Sequence, residues 1–493
     1  MKVTLVPQIE IRNRHPKGIG TATDGEYARI ATEILKTIAK LGIADIPAEG
    51  LKIIAVNVTM YFEDILSEAG IWRGFMASLK ERYGRRMPFY DIDEENYFED
   101  EPNLEDVRMI VWYTMLEVHE GKIGNPENPV LEKLAVAALS VLDKHFETAP
   151  ANEDLRAYFH DHERLSDFYL MRDMLKWLSF GCYLTYIPYL SERLFESAQK
   201  MAREAGMGID QAFYQAESLM PYSEKIGPLN VLPQEWLGMI LRAVGEEEFA
   251  QKVESQRMKK YMIYKVVSAE TGKSVTFEGI DGEQFTVTAS ELNNPGDECY
   301  SHKCALGAFV EYNGTWHLNG NSMWGDALDG YETMRADHIG HEKLHDVYDK
   351  IVEENEGSRL FYFSGTEELK KFILDRLPME DKVRKDFSLP EGQKNIVLYV
   401  PEDYGDFEIF PDGALNIKDP RNAYYNEKWA RNQALNFALS VEQGMRTYLI
   451  SNGLLPDATI NSTKGLQRGN EIVQQNFDFL TWCRGCKPQC DLW

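Results

Sequence analysis

The run His341-Glu342-Lys343-Leu344-His345 carries the HExxH pattern. On a helix, positions i and i+4 share a face. Two imidazoles can then hold one zinc ion while the glutamate polarises a bound water. His338 stands three residues earlier, and at about 100° per residue the three histidines fall within a sector of roughly 60°. Two features argue against a metalloprotease. Lys343 and Asp346 put charges where such a helix is usually buried. No downstream helix offers an evident third ligand beyond what Glu353, Glu354 and Glu356 could supply in principle, although Asp349 and Glu342 lie beside the histidine sector. By chance, roughly two chains in a hundred of this composition would carry the pattern. The plainer reading is a boundary stripe, in which Leu344, Val347, Tyr348 and Ile351 form an apolar face bordered by the histidines.

The second chemical lead is the run Cys483-Arg484-Gly485-Cys486-Lys487-Pro488-Gln489-Cys490. Its C-x2-C spacing is that of a metal knuckle, and a fourth ligand from Cys299, His302 or Cys304 would close a zinc site. A reduced tail is the simpler reading. A redox dithiol would need a helix N-terminus to lower a thiol pKa, and none is visible there. Weaker candidates fail on geometry. Asp91-Ile92-Asp93-Glu94-Glu95 lacks the glycine that a calcium loop needs at its sharp turn. His160 and His162, read on one helix, diverge by about 160° and do not share a ligand. No GxxxxGK[ST], GxGxxG or GxSxG run occurs, so ATP, dinucleotide and serine-hydrolase chemistry have no local support.

What must position these residues is a chain of 493 amino acids, long enough for two to four domains. Its 44 % hydrophobic and 12 % aromatic content supplies real cores. The formal net charge is −26, from 53 basic and 79 acidic residues, which repels phosphate backbones and anionic lipid. The densest basic run, Lys80, Arg82, Arg85 and Arg86, reads as a solvated helix end. Neither nucleic acid nor membrane is therefore expected as a partner. The longest apolar-rich stretch, Trp177 to Leu190, holds Pro188 and falls short of the about 20 residues that a spanning helix needs. The N-terminal run does not read as a signal peptide, and the six cysteines form no disulfide framework, so a cytoplasmic location is expected.

Residues 1–255 read as a helical domain, with amphipathic runs at Glu26 to Leu41, Leu51 to Phe75, Leu131 to His145, Leu155 to Leu190, Glu192 to Ala205 and Leu237 to Gln256. Asn103 is the expected N-cap of a helix that continues through Met115. Residues 256–325 read as a small antiparallel β-barrel-like module. Its strands are Tyr261 to Val267, Val275 to Phe277, Phe285 to Thr288, Ala305 to Tyr312 and Thr315 to Leu318. Asn313-Gly314 is a strong hairpin signal, because a type I′ turn needs positive φ at both positions. Residues 326–493 read as an α+β domain. Helix is expected at Tyr331 to Glu354, Thr366 to Leu377 and Trp429 to Ser451, and strand at Arg359 to Phe363, Asn395 to Val400 and Phe407 to Phe410. The fold class is thus multi-domain α+β: a helical half, a small β module and a mixed C-terminal region.

Several segments resemble a known family. YFEDILSEAGIWRGF (Tyr61–Phe75), MPFYDIDEENYFEDEPNLEDV (Met87–Val107), NPENP (Asn125–Pro129) and FETAPANEDLRAYF (Phe146–Phe159) look like the N-terminal half of domain of unknown function 3843. KDPRNAYYN (Lys418–Asn426) is similar to a stretch toward the C-terminus of such proteins. The resemblance implies a bacterial, cytoplasmic protein, and implies no reaction, cofactor or residue role. The sequence leads to a protein that acts through contacts with a protein partner. The alternative is a metal-dependent hydrolase using His341, Glu342 and His345, with zinc as the metal it would take.

Overall fold

The longest buried helix sits at the centre of the N-terminal half. The computed structural model describes residues 5–118, 124–186, 188–204, 206–292, 296–377, 384, 387–402, 407–456, 476, 479, 480 and 483. Among these, α1 (Gln8–Arg12) and α2 (Asp24–Ala39) precede the central α3 (Ala48–Ser67), then α4 (Ile71–Tyr83), α5 (Leu104–Val118) and α6 (Pro129–His145). Further helices follow as α7 (Glu153–Tyr158), α8 (His162–Ser166), α9 (Phe168–Phe180), α10 (Pro188–Glu204), α11 (Ile209–Leu219), α12 (Pro233–Ala243) and α13 (Glu247–Glu254).

The run expected as one helix from Leu51 to Phe75 is two. Glu68 and Gly70 take φ of 51° and 84°, which ends α3 and starts α4. Asp64 stabilises the break from within α3, because its carboxylate accepts the N–H groups of Ile71 and Trp72 at 3.2 and 2.7 Å. The stretch from Leu155 also divides, since Asn152, Asp161 and Asp167 each accept an N–H at the start of a new helix. Asn103 precedes α5, and its carbonyl accepts the N–H of Val107 at 3.1 Å. Its side-chain amide donates to the carbonyls of Phe98 and Glu101, both at 2.8 Å, and ties down the preceding loop. Gly74 lets α4 lie close to α12, since a Cβ there would stand 3.0 Å from the Met239 carbonyl.

The β module is a six-stranded antiparallel sheet, built from β1 (Arg257–Glu270), β2 (Ser274–Glu278), β3 (Gln284–Thr288), β4 (Cys304–Tyr312), β5 (Thr315–Leu318) and β6 (Met323–Gly325). Its order is β3-β2-β1-β4-β5, with β6 on β4, and β3 returns beside β5 so that the sheet nearly closes. Asn313 and Gly314 take φ of 50° and 73°, the hairpin turn that the pair predicts. Period-two alternation turns Tyr264, Phe277, Phe285 and Phe309 into one aromatic core with Trp316. The Tyr312 hydroxyl donates to the carbonyl of Leu165, which fastens β4 to α8.

Residues 1–328 and 329–481 build two compact units. The second holds α14 (Asp329–Glu354), β7 (Leu360–Gly365), α15 (Thr366–Arg376), β8 (Lys394–Tyr399), β9 (Glu408–Phe410), α16 (Glu427–Ser440) and α17 (Gln443–Ser451). Its sheet, β7-β8-β9, is antiparallel throughout. Ile396 and Leu398 of β8 pack with Tyr348 and Ile351 of α14 and Leu369 of α15. Val397 and Tyr399 point the other way, to Phe437 of α16 and Met445 of α17. Helices thus cover both faces, which is why β8 is apolar without alternation. The helix expected from Trp429 to Ser451 is broken at Val441, which is extended. Among the described residues, no helix is long and apolar enough to cross a membrane.

Candidate functional site

Helix α9 presents two cations, Arg172 and Lys176, one turn apart on the same face. Both are buried, at 4 % and 7 % exposure. A buried charge must find partners. Arg172 donates to Asn319 Oδ1 at 3.0 Å and to the Tyr214 hydroxyl at 3.2 Å, and lies over the rings of Tyr169 and Tyr214. Lys176 donates to Glu217 at 3.1 Å. Burial holds the Lys176 ammonium below its ordinary pKa, and the neighbouring Arg172 charge pushes the same way against Glu217. Tyr214 and Glu217 stand one turn apart on α11, so the two cations of α9 grip that helix at two points.

The loop after β5 also holds α11. Gln215 donates to the carbonyl of Asn319 at 3.2 Å and accepts the N–H of Asn321 at 2.6 Å. Asn319 donates to the carbonyl of Ser218 at 2.9 Å. Gly320, at φ 98°, makes this approach possible, because a Cβ there would fall 2.4 Å from Gln215 Oε1. Helix α10 then packs on α11 around the buried small residues Ala198, Ala212 and Ala216.

That small-residue seam leaves the larger side chains of the α10–α11 pair at its outer edge. Phe195 is 50 % exposed and Ile209 46 % exposed. The Phe195 and Phe213 rings meet at 5.8 Å, and Leu194, Met201 and Met207 are only partly covered. Arg193 pairs with Glu224 at 2.6 Å at the edge of this face, and burial raises the Glu224 pKa against the pull of Arg193. The result is an apolar face on a rigid support. Sequence reading missed α11, whose Gln215 and Ser218 look polar and are buried against residues about a hundred positions away.

The residues singled out from sequence are placed as follows. His338, His341 and His345 lie on α14, and His338 Nε2 pairs with Glu342 Oε1 at 3.6 Å, with Glu342 itself exposed. The side chain of His341 lies outside the described ones. His302 faces Asp326 at 3.3 Å, and the Cys304 thiol donates to the carbonyls of Gly325 and Ala327 at 3.1 and 3.2 Å. Burial raises the thiol pKa of both Cys299 and Cys304. Cys483 is buried, and Cys486 and Cys490 lie outside the described residues. Among the described residues, no set of three or more histidine, cysteine, aspartate or glutamate side chains is arranged to hold a metal ion. His160 and His162 do share a partner, contrary to the reading on one helix. Asp161 starts a new helix between them, and both rings meet Glu246 at 2.9 Å.

No curated protein and no solved structure matches the chain. A family model described as "Protein of unknown function (DUF3843)" matches residues 8–263 and 326–483. The segment left out is the β module from the middle of β1 to the end of β6. Its two ends lie close together, because Ile263 pairs with Leu306 and Leu306 with Met323. The helical body and the C-terminal α+β unit are thus the matched parts, and the chain belongs to the DUF3843 family.

Proposed function

We propose that this protein works by binding a protein partner, and that the outer face of α10 and α11 is where the partner sits. One observation carries the reading: Phe195 and Ile209 stand half-exposed beside Phe213 and Met201 on a helix pair clamped from behind by two buried cations. A contiguous apolar face is costly to leave in water, and methionines let such a face adapt to what it meets. Rigid support beneath it reduces the ordering cost of association. With a net charge of −26, the chain repels acidic proteins and attracts basic ones. The fitting partner therefore presents apolar side chains ringed by lysine and arginine. The free cysteines among the described residues suit a reducing compartment.

The test compares tagged wild-type protein with a Phe195→Ser, Ile209→Ser double variant, each recovered from source cells and its companions identified by mass spectrometry. Both positions are exposed, so the unfolding free energy of the variant should stay within about 1 kcal/mol of wild type. A companion with a basic surface should be recovered with the wild type and reduced at least about tenfold with the variant. Equal recovery with both proteins refutes the assignment of this face.

A further inference from the structure

A pocket of about 130 Å³ opens in the helical unit between α4 and the loop that follows it. From α4 it takes Trp72, Arg73, Met76, Ala77 and Lys80, which recur at one-turn spacing and so form a single stripe. The facing wall is Tyr97, with Arg86 and Glu99 at the rim. This wall is built rather than draped. Arg86 pairs with Glu99 at 2.6 Å and with Glu94 at 3.6 Å, and its guanidinium lies 5.5 Å from the centre of the Tyr97 ring. The Tyr97 hydroxyl reaches Asp106 of α5 at 3.1 Å.

Two cations of the stripe differ from Arg86. Among the described residues, no carboxylate lies within ion-pair distance of Arg73 or Lys80, although acidic residues outnumber basic ones by half in this chain. An arginine fork without a carboxylate is a ready receptor for one, and the planar group binds it through two parallel hydrogen bonds. Between the two cations lie Trp72, Met76 and Ala77, a lining that favours an apolar body. The volume is close to that of cavities that hold a single benzene ring. Glu99 adds negative charge to the rim, which disfavours dianions and polyanions.

The geometry points to a binding site for a small organic monocarboxylate, with its body of about one ring between Trp72, Met76 and Tyr97 and its carboxylate on Arg73 and Lys80. The site is independent of the α10–α11 face. The basic run read from sequence as a solvated helix end divides accordingly: Arg82 lies 3.9 Å from Glu235, whereas Lys80 and Arg86 line the pocket.

Calorimetric titration of the full-length chain with benzoate, benzylamine and inorganic phosphate tests the assignment. Benzoate should bind saturably at one site per chain. Arg73→Ala and Lys80→Ala should each weaken it at least tenfold, and Ala77→Trp, which fills the pocket from an exposed position, should abolish it. Circular dichroism of each variant confirms that it is folded, and any variant that is not is replaced by Arg73→Gln or Lys80→Gln. Benzylamine should show no saturable binding, and phosphate should bind at least tenfold more weakly than benzoate. Absence of saturable benzoate binding overturns the proposal. So does benzoate binding that survives both Arg73→Ala and Ala77→Trp, or phosphate or benzylamine binding as tight as that of benzoate.

Discussion

Replacing Glu63 with alanine is expected to cost the helical unit about 3–5 kcal/mol and to lower its melting temperature by about 10 °C. Glu63 is fully buried in α3, at 0 % exposure. It meets His15 Nε2 at 2.8 Å and accepts from Asn152 at 2.9 Å and from Thr23 at 3.3 Å. His15 is buried too, and its other ring nitrogen lies 3.4 Å from Asp24, which accepts from Arg12 at 3.1 Å. One carboxylate thus joins the loop after α1, the start of α2, the cap of α7 and the central helix. Alanine would leave an imidazole and an amide in the core without their acceptor, and buried groups left unpaired account for the largest single-residue losses. Glu63→Gln keeps an acceptor oxygen and should lose less than Glu63→Ala. Partly exposed Glu26, which pairs with Arg29 across one turn, should change stability by less than about 0.5 kcal/mol when replaced by alanine. Urea unfolding of the three variants checks the order. Equal losses for Glu63→Ala and Glu26→Ala would show that the buried network contributes nothing.

The contribution of Asp106 to stability should fall as pH rises from about 4 to about 7. Burial pushes its carboxyl up to about 7, even though Tyr61, Tyr97 and Asn103 all donate toward the ionised form. The folded value lies above the unfolded one, so the folded chain holds a proton that the unfolded chain has released. The corresponding stability is complete below the unfolded pKa near 4 and is lost as pH passes through the folded value near 7. Asp64, raised by burial to about 6, acts with the same sign over a narrower window. Asp106→Asn cannot ionise. Relative to that variant, wild type should lose about 3 kcal/mol between pH 5 and pH 8. Parallel stability curves for the two proteins over that range would rule out a protonated Asp106.

Features set by neighbours along the chain were legible in the sequence. The Asn313-Gly314 turn needs two positive φ angles and nothing else, and strands β2 and β3 follow from period-two alternation. Gly453, at φ 62°, ends α17 as its position after Asn452 suggests. What escaped detection depends on distant partners. The break between α3 and α4 rests on Asp64 reaching forward to cap the next helix, in a segment whose apolar periodicity continues. Helix α11 is buried by Asn319 and Arg172, so its polar face looked like solvent. Periodicity likewise cannot tell that Phe195 faces outward, because a helix carries the same stripe whether or not a neighbour covers it. The α4 pocket was hidden for a related reason: Tyr97 and Arg86 join Trp72 only once the loop has folded back.

The central claim, that the outer face of α10 and α11 meets a protein partner, is tested most directly by site-specific photocrosslinking in source cells. A benzophenone amino acid is placed at position 195, at position 209, and at position 136, where Val136 is equally exposed on α6. The account predicts one crosslinked companion common to positions 195 and 209, carrying a basic surface, and none at position 136. Crosslinks that form equally at all three positions, or at none, would contradict it.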